Sequence, residues 1–178
     1  MKLLSKFAVS ILAAAPFVSA WADIPPEGCY NPVRGFAASI CTDTVACSTQ
    51  AGIYRIVLRN EYAPFGKRRL VISGTFRGKI IEQPNECGGI TLNHIFMDKD
   101  MEGTISTNND VGCPIGGDGV NTLEIEEKLN VAQGTGIYEG LVPGGTITLT
   151  GTLGLVTGIN TFEVTPSPDD EICFDPLP

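Results

Sequence analysis

Residues 134–165 read GTGIYEGLVPGGTITLTGTLGLVTGINTFEVT, and this stretch decides the fold class of the chain. Across residues 146–153, threonines alternate with mostly apolar residues, which is the period-two pattern of a β-strand with one buried face. Thr157-Gly158 then predicts a turn, and residues 160–164 alternate again, so the two runs predict a β-hairpin. Glycines recur every few residues upstream, and regular bends in antiparallel strands close a sheet into a barrel.

The rest of the chain predicts more strands of this kind and no helix. Strands are predicted near residues 36–41, 53–60, 70–81, 90–97, 104–107 and 120–131, with a further one around Ile137. Residues 109–119 are rich in Gly and Asp and are predicted to form a loop. With the closing hairpin there are about eight strands, and we predict an all-β fold: a single antiparallel β-barrel that disulfides staple.

The first 22 residues have the composition of a secretory signal peptide. Lys2 and Lys6 precede an apolar core, residues 7–18, that is too short to span a bilayer. Ala20-Trp21-Ala22 supplies the small residues that signal peptidase reads, so cleavage after Ala22 is expected, with cleavage after Ala20 as the alternative. Because no later apolar run is long enough for a transmembrane helix, we predict a secreted or periplasmic protein without a membrane span.

The remaining 156 residues are expected to form one domain. Residues 23–50 lack clear periodicity and are interpreted as a Cys-containing N-terminal arm, while residues 51–178 form the barrel. The net charge of the whole chain is −8, and loss of the two signal-peptide lysines makes it −10. An acidic protein of this kind is not expected to bind nucleic acid.

Cysteines support export, because an even number in an exported chain predicts disulfides, here up to three. The six are Cys29, Cys41, Cys47, Cys87, Cys113 and Cys173. Cys87 and Cys113 flank one predicted hairpin, so we predict a bond between them. The other two bonds would join Cys29, Cys41 and Cys47 to one another and to Cys173, and would hold both ends of the chain.

Motifs for metals and common enzyme classes are absent. There is no Cys-x-x-Cys, and His94 is the only histidine, so the spacing does not indicate zinc. Asp98-x-Asp100-x-Glu102 matches the first half of a calcium loop, but Asn109 stands where the closing glutamate belongs, so we interpret it as an acidic turn. Gly-x-Ser-x-Gly, His-Glu-x-x-His and P-loop patterns are also missing, and no metal or cofactor is predicted.

Two polar residues share the buried parity of their strands. His94 is in phase with the apolar residues of the strand at 90–97, and Glu127 is in phase with those of the strand at 120–131, Ile125 among them. If both strands keep a regular register, both side chains point into the barrel, where burial would raise the pKa of the carboxyl and suit it to acid–base chemistry. The alternative is a structural role, since one bulge would turn either residue outward.

Charge is distributed unevenly along the chain. Residues 23–81 carry eight bases and four acids, whereas the residues from 82 onward carry two bases and 16 acids. The simpler interpretation is that basic and acidic strands are neighbours and pair on the outer face of the barrel. The alternative is a basic patch around Lys67-Arg68-Arg69 that meets an anionic surface or ligand.

The segments GTGIYEG, GGTITLTGTL and TGINTFEV resemble the closing part of the allene oxide cyclase and dirigent-like β-barrels. The resemblance covers residues 134–164, about a fifth of the chain, and implies a barrel that handles a small apolar molecule in its interior. None of that superfamily's catalytic residues matches a position in this chain, so none is carried over. The relatives are often oligomers, which leaves an oligomer open, although the sequence shows no exposed apolar strip that argues for one.

Three functions follow as expectations. The leading one is an exported barrel that binds a small apolar molecule in its interior. The expected contacts are Phe76, Phe96, Leu123, Ile147, Leu149 and Phe162. Ile125 is not counted among these contacts. The first alternative is a cyclase or isomerase of the same fold that uses His94 and Glu127. The second is a surface-acting interaction or inhibitor module with a filled interior.

Overall fold

A computed structural model describes residues 24–43 and 47–176. The predicted signal peptide, residues 1–22, lies outside the described residues. Nine strands follow one another along the chain: β1 (Gly28–Cys41), β2 (Thr49–Arg59), β3 (Arg69–Glu82), β4 (Ile90–Asp98), β5 (Gly103–Gly117), β6 (Thr122–Gly136), β7 (Thr146–Gly154), β8 (Ile159–Val164) and β9 (Ile172–Phe174). Nowhere in the described ranges is there a helix with the length and apolar character that crossing a membrane requires.

Strands β1 to β8 form a closed antiparallel ring, in which each strand pairs with the next and β8 pairs with β1. The short strand β9 pairs with the start of β1 outside the ring. The predicted all-β barrel of about eight strands is therefore confirmed. Because neighbouring strands are antiparallel, the β1–β2, β3–β4, β5–β6 and β7–β8 connections lie at one end, which we call the cavity end, and the β2–β3, β4–β5 and β6–β7 connections lie at the opposite end.

Part of the predicted N-terminal arm, residues 23–50, is a barrel strand. β1 runs for 14 residues between β8 and β2, and is far longer than the strand predicted at residues 36–41. Its pattern misleads because the outward side chains Phe36 and Ile40 are apolar, while the inward position 39 is a serine. The period-two signal therefore indicates no clear buried face.

Strand β5 runs through residues 109–117, which were predicted to be part of a loop. Its pairing with β6 slips between Thr107 and Val111, and Asn109 adopts a left-handed φ of 54°. Asn is a typical turn residue, but here Asn108 and Asn109 build a β-bulge inside a long strand. The bulge turns Asp110 into the barrel. The strand predicted around Ile137 is also wrong, because residues 137–140 form a turn.

All six cysteines form disulfides: Cys29–Cys173, Cys41–Cys47 and Cys87–Cys113. The predicted Cys87–Cys113 bond is confirmed, and it ties the β3–β4 connection to β5. Cys29–Cys173 joins β1 to β9 and so holds the two ends of the described chain together. Cys41–Cys47 closes a short loop at the cavity end.

The middle of the barrel is filled by side chains. The void that remains there measures about 10 Å³, which is too small for any organic ligand. Eight-stranded barrels have interiors that side chains can just fill. Five of the predicted ligand contacts belong to this packed core: Phe76, Phe96, Ile147, Leu149 and Phe162.

Position 125 belongs to the packed core as well. Ile125 of β6 points inward and is only 1% exposed, and its side chain packs against the other buried apolar residues of the barrel. A Cβ at Gly112 of the neighbouring strand β5 would come within 2.7 Å of its Cδ1, so the glycine makes room for the larger side chain. Ile125 thus has a structural role in the core.

The outer face carries an apolar feature that the sequence analysis did not anticipate. Exposed apolar side chains occur on the neighbouring strands β8, β1 and β2, contrary to the expectation that no apolar strip exists: Phe36, Ile40, Ile53 and Ile159. The strip escapes notice in the sequence because each strand contributes only one or two members, and cross-strand pairs such as Ile40 with Ile159 bring them together.

The predicted pairing of basic with acidic strands is wrong. The eight bases lie on β1, β2, β3 and the β2–β3 loop: Arg34, Arg55, Arg59, Lys67, Arg68, Arg69, Arg77 and Lys79. Within residues 24–43 and 47–176, none of them makes a salt bridge. The reason is topological, because β2 lies between β1 and β3 in the ring, so these strands place bases beside bases.

Candidate functional site

His94 and Glu127 both point into the barrel, toward the cavity end. Each keeps the buried parity of its strand, and each is only 3% exposed. Nδ1 of His94 lies 3.7 Å from Oε1 of Glu127. The register condition on which the sequence analysis depended is therefore met, and β4 and β6 bring the two side chains together across β5. Whether they catalyse a reaction stays a prediction.

Asp110 is the third member of this buried group, and the sequence analysis missed it. Its side chain is fully buried, and Oδ2 accepts a hydrogen bond from Nδ1 of His94 at 2.7 Å. The Thr107 hydroxyl also donates to Oδ2, and the backbone N–H of Asn130 donates to Oδ1 at 2.7 Å. The Asn108-Asn109 pair was the available signal, because Asn tolerates the left-handed backbone of a bulge.

Gln50 holds the other side of the His94 ring. Its Oε1 accepts hydrogen bonds from the hydroxyl of Ser39 at 2.6 Å and from the amide of Asn160 at 3.1 Å. The amide nitrogen of Gln50 therefore faces Nε2 of His94, 3.1 Å away, and donates to it. This assigns the neutral ring as the tautomer with its proton on Nδ1, the atom that donates to Asp110. Sequence analysis missed Gln50 because the strand was predicted to begin at residue 53.

Close packing fixes the position of the imidazole. Gly78 of β3 lies directly opposite His94, and a Cβ there would lie 2.6 Å from Cδ2 of the ring and 2.8 Å from the Gln50 amide nitrogen. Phe76 and Phe96 flank the ring with centroid distances of 5.7 and 5.6 Å. These two predicted ligand contacts therefore pack against His94, and the missing side chain at residue 78 makes room for it.

The electrostatics of the group favour bound protons. Burial raises the pKa of Glu127, the charge of Asp110 raises it further, and only His94 acts in the opposite direction. Burial alone would lower the pKa of His94, but the charges of Glu127 and Asp110 outweigh it and raise the pKa. Oε1 of Glu127 is buried and has no hydrogen-bond partner within the described part of the chain. Such an atom is costly to leave unsatisfied.

A cavity of about 520 Å³ opens at the cavity end, and Gln50, Glu127 and Asn160 line it. Its walls are largely apolar and include Ile80, Ile90, Leu92, Leu123, Leu153 and Phe162. The Cys41–Cys47 disulfide and the β7–β8 turn also contribute to its lining. Of the predicted ligand contacts, only Leu123 and Phe162 line this cavity. His94 does not line it, and it contacts the lining residues Gln50 and Glu127.

The buried group has donor atoms that could hold a metal ion, since those of His94, Asp110 and Glu127 all lie within 4.8 Å of one another. A metal at Nδ1 would require loss of the proton that this atom donates to Asp110. It would also require the opposite tautomer, which the donating amide of Gln50 opposes. We therefore interpret the group as a proton-holding site.

The acidic turn predicted at residues 98–102 is confirmed as a turn. Oδ2 of Asp98 accepts the backbone N–H of Asp100 at 2.9 Å, and Oδ1 accepts the hydroxyl of Tyr138 at 3.2 Å. Asp98 is thus engaged in holding the turn and the β6–β7 connection.

Comparison of the chain with protein-family models, with curated proteins and with solved structures found no match in any of the three. The resemblance to the allene oxide cyclase and dirigent-like barrels consequently stays a prediction.

Proposed function

We propose that this protein binds one small, largely apolar molecule in the cavity at the cavity end, with a polar group of that molecule against Glu127 and Gln50. The volume of about 520 Å³ is typical of small-molecule sites, as are apolar walls around a few polar groups. Leu123 and Phe162 are retained as ligand contacts from the sequence analysis, and Leu92 and Leu153 join them. The filled middle of the barrel supports placing the ligand at its end.

The observation that carries the proposal is the unpaired Oε1 of Glu127. This carboxyl oxygen is buried, belongs to a cavity-lining residue, and has no hydrogen-bond partner among the described residues. An unpartnered buried polar atom costs about 1–3 kcal/mol. A ligand with one hydrogen-bonding group at the cavity floor would give the Glu127 carboxyl a partner that the described residues do not supply, and would bury its own apolar part against the walls.

A proton-transfer enzyme of the cyclase or isomerase type is the second candidate. It is favoured by the 3.7 Å separation of Glu127 from His94 and by the raised pKa of both groups. A carboxyl whose pKa is raised toward neutral pH is suited to donate its proton to a substrate and to recover it. Glu127 would be the catalytic acid or base, while His94 and Asp110 would position it and hold its charge.

The three disulfides support the further proposal that the protein is secreted or periplasmic. Such bonds persist in oxidising compartments and are rare in the cytosol of mesophiles.

Ligand binding can be tested with the apolar dye ANS as a probe of the cavity. We expect its fluorescence to rise with wild type and to fall severalfold in Leu153→Trp, because the larger ring fills the cavity. Ile95→Trp is the matched control, since residue 95 is exposed on the outer face and should leave the signal unchanged. Equal fluorescence in all three proteins would contradict the proposal.

Catalysis can be separated from binding by isotope exchange. A ligand that co-purifies with the protein should gain mass when it is incubated with wild type in D₂O, because a proton-transfer site exchanges carbon-bound hydrogen. Glu127→Gln should bind the ligand and give no gain. A pure binding protein gives no gain with wild type either, and that outcome would remove the enzyme candidate.

A further inference from the structure

The end of the barrel opposite the cavity carries a surface groove lined by four arginines. The groove has a volume of about 460 Å³, and no carboxylate is among its lining residues. Its bases are Arg34, Arg59, Arg68 and Arg69. Arg59 and Arg69 stand directly opposite each other in the β2–β3 pairing. Like charges in that position destabilise a sheet, so the groove is suited to an external anion.

Two large aromatic side chains project from the same hairpin. Tyr62 and Phe65 lie in the β2–β3 loop and are each 98% exposed. The loop is nevertheless held in shape, because Oδ1 of Asn60 accepts the backbone N–H groups of Tyr62 and Ala63, and Nε of Arg68 donates to the carbonyl of Ala63. The two rings are therefore presented outward by an ordered turn, and nothing in the described part of the chain covers them.

We propose that this hairpin end docks on an anionic lipid surface. Tyr62 would enter the headgroup region, where amphipathic aromatic rings are favoured, and the apolar ring of Phe65 would insert at the boundary between headgroups and acyl chains. The four groove arginines and Lys67 would face lipid phosphates, which guanidinium groups bind in a bidentate manner. Residues 59–69 contain four bases and one acid, Glu61, although the chain as a whole is acidic.

The groove favours a lipid surface over a single small anion for two reasons. Arg59, Arg68 and Arg69 are all exposed, so they form no enclosed pocket that would hold one ion. A free anion would also leave Tyr62 and Phe65 without a role, whereas a membrane interface offers phosphates to the bases and an apolar boundary to the rings.

Docking in this orientation points the cavity away from the membrane. The β2–β3 loop and the cavity lie at opposite ends of the ring, and the acids concentrate on the strands from β4 onward. The inference is therefore independent of the proposed function, and either could fail without the other.

The test is co-sedimentation with vesicles of phosphatidylglycerol mixed with phosphatidylcholine, against phosphatidylcholine alone. We expect wild type to bind only the mixed vesicles, and less as salt is raised. Arg59→Gln with Arg69→Gln should weaken binding by about thirty-fold, the effect expected for two bases near an anionic surface. Tyr62→Ser with Phe65→Ser should weaken it as well, and with less dependence on salt.

Matched controls remove equivalent groups elsewhere. Arg77→Gln with Lys79→Gln takes the same charge from the far half of β3, and Leu155→Ser with Val156→Ser takes an exposed apolar pair from the cavity end. Both should bind like wild type, and thermal unfolding will show that every variant is folded. The proposal is overturned if wild type ignores the mixed vesicles, if the controls lose as much as the hairpin variants, or if only inorganic phosphate binds the groove.

Discussion

At the scale of single residues, Gly78 limits the geometry of the buried network most directly. Its absent side chain gives room to the ring of His94 and the amide of Gln50, which a Cβ would approach to 2.6 and 2.8 Å. Neither group can retreat freely, because Asp110 holds one and Ser39 and Asn160 hold the other.

Gly78→Ala should therefore displace His94 from Asp110. We expect a loss of about 1–3 kcal/mol of stability from overpacking. The clearer readout is nitrogen NMR, because His94 is the only histidine and its ring signals need no assignment. Wild type, in its neutral form, should show the proton on Nδ1, and the variant should not retain that pattern.

The control for this change is Gly66→Ala. A Cβ at residue 66 meets nothing within 4 Å, and its cost is confined to the left-handed backbone at φ 94°. The His94 signals should stay as in wild type. Unchanged signals in Gly78→Ala as well would contradict the assigned network.

At the scale of strands, the sequence predicts the features that follow from a regular alternation of buried and exposed residues. The closing hairpin, β7 and β8, follows its period-two pattern, and His94 and Glu127 were found because they keep the parity of regular strands. Asp110 was not found, because its inward direction depends on a bulge that shifts register by an amount the pattern does not encode. Gln50 was missed for a related reason. The strand that carries it was predicted to begin at residue 53, and the outward apolar residues of neighbouring β1 left no clear period-two pattern at the start of the barrel.

The disulfides allow a prediction at this scale. Cys29–Cys173 spans 144 residues in sequence, whereas Cys41–Cys47 spans 6. In the chain-entropy model, removing the first should cost about 5 kcal/mol and removing the second about 2 kcal/mol. We expect double Ser variants to unfold at denaturant concentrations in that order, with Cys87→Ser/Cys113→Ser, which spans 26 residues, between them.

Chemical denaturation of the three double variants measures this order. The Cys41–Cys47 variant also serves as the internal control, because it removes one bond without untying the ends of the chain. A larger loss there than at Cys29–Cys173 would mean that the short loop, and not the closure of the chain ends, dominates the stability of the barrel.

At the scale of the whole molecule, the barrel separates two kinds of surface. One end has an apolar cavity above a buried group of titratable side chains, and the other has exposed bases and aromatic rings. The packed middle isolates these ends from each other. Because bound protons are linked to the folding equilibrium, titration of the buried group should also be visible in the stability of the fold.

The stability of the protein should fall as pH rises above 4.5, and fall further as pH rises above 6.5. Glu127 has a pKa raised above 4.5, so the folded state keeps a proton that the unfolded chain has already released, and stability declines as pH rises through the native pKa. His94 has a pKa raised above 6.5, and its contribution is likewise complete below 6.5 and lost on the way up. The two effects have the same sign, with a slope of at most about 1.4 kcal/mol per pH unit for each group.

Urea unfolding at several pH values measures this slope, and Glu127→Gln identifies its source. The variant removes one titrating group and also the charge of Glu127 that raises the pKa of His94, so both contributions should shrink together. Glu126→Gln is the matched control, because residue 126 precedes Glu127 on β6 but is exposed, and its slope should equal that of wild type. A steep decline that survives in Glu127→Gln would place the titrating protons elsewhere. A rise in wild-type stability over the same interval would mean that the folded state binds fewer protons than the unfolded chain, and would remove the physical basis for acid–base chemistry at Glu127.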